Sequence, residues 1–382
     1  MNRQYRRPPW SGLRRFGAGL LAVVGVHWLT ACSTVDYYAQ AAQGHLALMQ
    51  QREPIDALLA DPSRDAHLQQ RLALALQARE FASSQLGLPD NQSYRLYADI
   101  QRPVLLWNLF VTPEFSLAPQ LQCFPVAGCV AYRGYYDLDR ARGAAAGEQL
   151  AGRETWIGGV EAYSTLGWFD DPLLSSMLQR NDQQLAAVIF HELAHQQLYV
   201  TDDTAFNESF ASFVEQEGLR QWLVSRSEVL LEPSRACRRQ QFVALVLATR
   251  ERLAVLYGSD QPPAAMRQAK QAEFERLREA YRQMSHPADR RIDAWLAGPM
   301  NNAKLLPFGL YDQWLPAFAE LFAQSGQRWP LFYEQVQQLA DLPPTERHAR
   351  LQALHSGSGE SGAAESACAA EFGGGLYSGI GE

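Results

Sequence analysis

The sequence predicts an α+β fold in which a mainly helical region packs against a smaller β-sheet region. Three observations predict it. Apolar residues recur at helical spacing through most of residues 182–350. Residues 93–165 differ in character, being rich in β-formers and broken by Pro103, Pro113 and Pro119. A chain of 382 residues, 47% hydrophobic and 20% charged, has the composition and length of a globular protein with a sizeable core. The same numbers exclude other classes. Five cysteines are too few for a disulfide-dense scaffold, and no repeat period suggests a solenoid. A net charge of −7 is a poor footprint for a nucleic-acid binder, so no nucleic acid is expected as a partner.

Residues 1–31 read as an address rather than as structure. Arg3, Arg6, Arg7, Arg14 and Arg15 precede an apolar stretch from Phe16 to Leu29, with no acid among them. A basic start, a short apolar run and small residues before a cut are the parts of an export signal. The stretch is well short of the roughly 20 residues that a membrane-spanning helix needs. Leu29-Thr30-Ala31-Cys32 resembles the lipobox of bacterial lipoproteins, which makes Cys32 the lipidated first residue of the mature chain. Ser33 after it, rather than an aspartate, implies an outer-membrane lipoprotein facing the periplasm. Removing residues 1–31 takes away five arginines and no acids, leaving 29 basic against 41 acidic residues, a net charge of −12. So acidic a body does not cling to anionic lipid, and the lipid on Cys32 would supply the attachment to the membrane.

Residues 32–92 are expected to form an N-terminal helical segment, with helices over 36–52 and 63–86 closed by Leu88-Pro89-Asp90-Asn91. In the β-rich part, Val104–Val111 and Trp156–Val160 read as strands, with a helix near 139–152 between them. Cys123 and Cys129 can close a small disulfide loop at a strand end, an oxidising compartment permitting it. Cys237 and Cys368 lack a partner motif and read as free thiols. Residues 267–295 read as one long amphipathic helix. Two aromatic runs, Trp168-Phe169 and Trp314 to Phe318, read as core anchors and turns, with walls of a substrate cleft as the alternative. Residues 356–382, rich in Gly, Ser, Ala and Glu, read as a disordered tail.

The chemistry is concentrated in His191-Glu192-Leu193-Ala194-His195 and the segment after it. Histidines at i and i+4 stand one above the other on a helix, so their imidazoles can converge on one ion. Glu192 lies a third of a turn away, close enough to activate water at that ion without being a ligand. Leu185, Ala186, Val188, Ile189, Phe190, Leu193, Ala194 and Leu198 cover nearly every side of this helix, the pattern of a buried element. Two histidines and a carboxylate on a buried helix need a compensating charge, which a cation supplies.

A catalytic zinc site has three protein ligands and one open position. Thr201-Asp202-Asp203-Thr204 reads as a turn and a cap. His195 precedes it by about six residues and Glu208 follows by about five, so antiparallel helices bring the two to similar height. Glu208 therefore fits the third position. Asp202 and Asp203 are its competitors and read better as caps of the second helix. For the group that stabilises the oxyanion, His286, Tyr281 and Tyr311 all lie far enough downstream to fold back, and the sequence does not choose among them.

His191-Glu192-Leu193-Ala194-His195-Gln196, followed by Asn207-Glu208-Ser209-Phe210-Ala211-Ser212-Phe213-Val214-Glu215, resembles the gluzincin zinc-peptidase signature. The insert between its two parts is shorter than is usual in gluzincins. With the lipobox and the run from Gly159 to Phe169, it resembles the bacterial putative-aminopeptidase lipoprotein family from about residue 37 to about 350. The resemblance implies that residues 93–355 are a zinc metallopeptidase catalytic region binding one Zn²⁺ through His191, His195 and Glu208. It makes Glu192 the catalytic base and a peptide with a free N-terminus the substrate. It also offers Glu161 as a group for that amine, against a plain surface charge at a strand end. The segment 157–164 would be an edge strand presenting its backbone to the peptide. Two alternatives remain open: a zinc endopeptidase of envelope proteins, and a non-catalytic metal-binding assembly lipoprotein. An intact Glu192 speaks against the second, because a purely structural site closes with four ligands and needs no base.

Overall fold

The computed structural model describes residues 35–357 except 125–127, 163, 232 and 285–288, with only the backbone of 233–237 and 357. By contacts the chain divides into two units, Met1–Gln50 and Gln51–Glu382. In the first, residues 35–50 form helix α1. The second contains everything discussed below. Residues 1–31, expected to be an export signal, Cys32, His286, Cys368 and the segment from residue 358 lie outside the described residues, as does the side chain of Cys237. Among the described residues, no helix is long and apolar enough to cross a membrane.

The fold is α+β and mainly helical, with small sheets of two or three strands. Its principal sheet has β3 (Leu106–Pro113) at the centre, flanked antiparallel by β6 (Tyr132–Tyr135) and β7 (Arg153–Val160). β3 is buried along almost its whole length because both faces are covered. One face carries Phe110, whose ring lies 5.5 Å from those of its cross-strand neighbours Tyr132 and Trp156. Helix α10 (Asn302–Tyr311) packs there through Ala303, Leu306 and Leu310. Helix α4 (Leu138–Leu150) covers the other face, where Gln149 Nε2 donates to Thr155 Oγ1 at 2.7 Å. β7 is an edge of this sheet. Its two glycines are sterically required. A Cβ on Gly158 would meet the Trp156 ring at 2.6 Å, and one on Gly159 would meet Val104 Cγ1 at 2.8 Å.

The helical part is organised on α5 (Asp182–Gln197) and α6 (Thr204–Ser225), which pack against each other along their lengths. Asn181 and Gln184 form a capping box at the start of α5. Asp203 caps α6 by accepting from Phe206 N at 3.1 Å, and Arg347 and His348 hold its other oxygen. Gly218 lets α6 approach closely, since a Cβ there would lie 2.7 Å from Leu86 Cδ1 and 3.1 Å from the Phe190 ring. Gly218→Ala is expected to cost about 1–3 kcal/mol of stability by overpacking, read from a denaturant melt. Beyond Gly218, Phe206, Phe210 and Phe213 join Phe318, Phe322, Trp329 and Phe332 in one aromatic core. These last residues come from α11 (Leu315–Gln324) and α12 (Trp329–Ala340). Trp314 and Phe318 are thus core anchors, as their run suggested.

Two expectations are corrected. Trp168 and Phe169 are 70% and 53% exposed, because Leu166 and Gly167 both take left-handed backbone (φ 57° and 81°) and turn the loop outward. The long helix over 267–295 is two, α8 (Pro263–Arg282) and α9 (Arg290–Ala297), and Pro287 between them is a poor fit to a helix interior.

Candidate metal centre

His191 and His195 lie one turn apart on α5, both buried, with ring centroids 4.9 Å apart and planes nearly perpendicular. Glu208 on α6 is also buried, and its Oε2 stands 3.5 Å from the Nε2 atom of each histidine. One ligand atom from each of the three lies within 4.8 Å of the others. A contact of 3.5 Å is longer than a good N–H···O hydrogen bond. It is close to the roughly 3.4 Å that separates neighbouring donors of a tetrahedral ion with bonds of about 2.0–2.1 Å. Spacing and donor chemistry therefore both suit a divalent cation.

The electrostatics agree with that reading. Burial works against the charge on Glu208, but the imidazoles of His195 and His191 outweigh it and hold the carboxyl at about 2. Burial likewise opposes a charge on His191, yet Glu208 and Glu215 together keep its pKa well above the ordinary imidazole value. The cluster thus has an anion and basic nitrogens converging in a low-dielectric place.

Glu215 closes the signature quoted above, yet sequence reasoning assigned it no role of its own. Its Oε2 lies 3.0 Å from His191 Nδ1, which points Nε2 of the same ring at Glu208. The signal was present, because position i+7 from Glu208 falls on the same face of α6. Glu215→Ala is expected to weaken metal binding by about 10–100-fold with all three ligands intact, read by competition with a chromophoric chelator.

Glu192 is half-buried beside the two histidines. Its pKa is raised, chiefly by burial, with the Glu208 charge adding to the rise and the imidazoles opposing it. Behind the helix, Gln196 accepts from Asn91 Nδ2 at 2.7 Å and donates to Ser93 Oγ and Asp171 Oδ2 at 3.1 and 3.3 Å. Burial pushes Asp171 up to about 6. This network, also missed, ties the C-terminal turn of α5 to the loops at 91–94 and 164–171.

Of the two oxyanion candidates among the described residues, Tyr311 is the one brought to the site. Its ring stacks 6.2 Å from that of His191, and burial, Glu208 and Glu192 push its pKa well up, leaving a protonated donor. Tyr281 instead belongs to a separate core with Phe242 and Phe274, where its hydroxyl accepts from Arg238 and donates to Asp293. Glu161 follows directly on β7 and pairs with Arg180 at 2.9 Å. Asp202 and Asp203 stand outside the ligand cluster. Asp203 is the cap, whereas Asp202 accepts from the backbone of Cys129.

A family model described as "Putative aminopeptidase" matches residues 36–351, nearly all of the described chain. The chain belongs to this family. Its description points to a peptidase, and the matched span includes all three residues of the cluster and Glu192. No curated protein and no solved structure matches the chain.

Proposed function

We propose that the protein is a zinc-dependent aminopeptidase attached to the outer membrane through Cys32 and facing the periplasm. The observation that carries the catalytic part is the buried His191–His195–Glu208 cluster with Glu192 beside it. Two imidazoles and a carboxylate are the donor set of a catalytic zinc with an open position. His191, His195 and Glu208 would hold the zinc ion, which would supply a Lewis acid for the scissile carbonyl and a lowered pKa for the attacking water. Glu192, its pKa raised by burial, would take the proton of the attacking water and hand it to the departing amine. Tyr311 donates its hydroxyl hydrogen bond to the carbonyl oxygen as charge develops on it. Tyr311→Phe is expected to lower kcat by about 10²–10³-fold with little change in KM, checked by steady-state peptide hydrolysis.

The edge of β7 supports a peptide bound as an added strand. Asn301 Nδ2 donates to Thr155 O at 3.0 Å, so that carbonyl has a partner beyond β3, and period-2 alternation turns Ile157 and Gly159 the same way. Glu161, at the end of this strand, would receive the peptide's amine, which then competes with Arg180 for the carboxylate.

Matched peptides with free and acetylated N-termini test the exopeptidase reading. Cleavage of free peptides alone supports it, and equal cleavage of both replaces it with endopeptidase action. Cys32→Ala is expected to release the protein from the membrane fraction. Retention of that variant at the membrane would overturn lipid attachment.

A further inference from the structure

The connection between the two ligand helices is six residues, 198–203, so its shape fixes how Glu208 stands opposite His195. Asn207 grips it from within. Its Nδ2 donates to Val200 O and its Oδ1 accepts from Val200 N, both at 2.7 Å.

A second grip comes from outside. Strands β4 (Gln122–Phe124) and β5 (Gly128–Val130) form a two-stranded hairpin in which Cys123 and Cys129 are direct cross-strand partners joined by a disulfide. The backbone N–H of Cys129 donates to Asp202 Oδ1. Gly128 lies against the same turn, with φ +71°, and a Cβ there would fall 2.3 Å from Thr201 Cγ2 and 2.6 Å from Asp202 Oδ1. Asp202 itself has φ 68°, a left-handed backbone that a residue with a Cβ holds at a cost unless its surroundings impose it. The bond from Cys129 is such an imposition. A two-stranded hairpin is marginal by itself, so the disulfide is what keeps this one rigid enough to hold anything.

We propose that the Cys123–Cys129 hairpin positions the metal centre by gripping the α5–α6 turn through Asp202, so that the oxidation state of the disulfide sets metal affinity. This rests on the metal-centre reading above. Asp202 and the hairpin are positioning elements that do not touch the metal. Reduction by a dithiol breaks the S–S bond, the two sulfurs taking two electrons and two protons while the dithiol closes to its own disulfide. The freed hairpin then releases Asp202, and the turn loses this support while Arg347 and His348 still hold Asp203. By linkage, bound metal makes the disulfide harder to reduce by the same factor.

Zinc affinity of the purified protein, by chelator competition, tests the proposal. The set is wild type, Cys123→Ser/Cys129→Ser, Asp202→Asn, Asp202→Gly and Asp202→Ala. The serine pair avoids zinc binding by the reduced thiols. Asn keeps both the acceptor and a tolerance for φ > 0, Gly keeps only the tolerance, and Ala keeps neither. Wild-type affinity is expected for Asp202→Asn. About tenfold weaker binding is expected for Asp202→Gly, Asp202→Ala and the serine pair, on the scale of outer hydrogen-bond partners in metal sites. Combining the serine pair with Asp202→Gly should add little, because both remove one grip. Unchanged affinity in the serine pair or in Asp202→Gly would overturn the proposal, and so would fully additive losses. Wild-type protein that takes up no zinc would overturn the metal-centre reading instead. Circular dichroism separates a loss of affinity from a failure to fold.

Discussion

Glu192→Gln is expected to retain zinc and lose about 10²–10⁴-fold in kcat, with KM little changed. Gln fills the same space and offers a hydrogen-bond acceptor, but it cannot take a proton. The proposed ligands His191, His195 and Glu208 are untouched by the change. The carboxyl of Glu192 is raised by burial and by the Glu208 charge, which moves a carboxylate toward the basicity that a proton shuttle near neutral pH requires. Metal content and steady-state hydrolysis measured on one preparation read both halves of the expectation. A variant of full activity would remove Glu192 from the mechanism. A variant that lost its metal would show Glu192 to be part of the ligand set.

Glu208→Ala is expected to abolish both metal binding and hydrolysis. Glu208 supplies the only carboxylate of the ligand cluster, and its oxygen is equidistant from the two Nε2 atoms at 3.5 Å. Without it, two neutral imidazoles one turn apart hold a divalent ion weakly. Thermal melts give an independent readout. Zinc at about 100 times its Kd should stabilise the wild type by roughly 2.7 kcal/mol, because an ion that binds only the folded state shifts the folding equilibrium. The melting temperature of Glu208→Ala should not respond. A variant that still gains stability from zinc would move the third ligand elsewhere.

Much of the centre was legible because its signals are local. The His191–His195 spacing, the buried pattern of α5, the cap at Asp203 and the matched heights of His195 and Glu208 all follow from helix geometry over about 25 residues. Glu215 was legible in the same way, two turns beyond Glu208 and at the end of the signature, yet spacing alone did not show that it would reach His191 Nδ1. The oxyanion candidates were a different kind of problem. Tyr311 and Tyr281 are both aromatic residues on downstream helices, and only the packing of α10 against the sheet and α6 brings one of them to His191. Periodicity does not encode that long-range choice. Trp168 and Phe169 illustrate a further limit. An aromatic pair resembles core until two consecutive left-handed residues, Leu166 and Gly167, turn it toward solvent. Arg79 is fully buried and bonded to Ser93 O and Pro89 O, serving a loop that composition presents only as a helix stop.

The most direct measurement is the metal content of the purified protein by plasma mass spectrometry, for wild type beside Glu208→Ala. About one zinc per wild-type chain is expected, with the metal absent from a folded Glu208→Ala. A folded wild type that carries no metal and takes up no added zinc would contradict the hydrolytic centre and favour a binding lipoprotein.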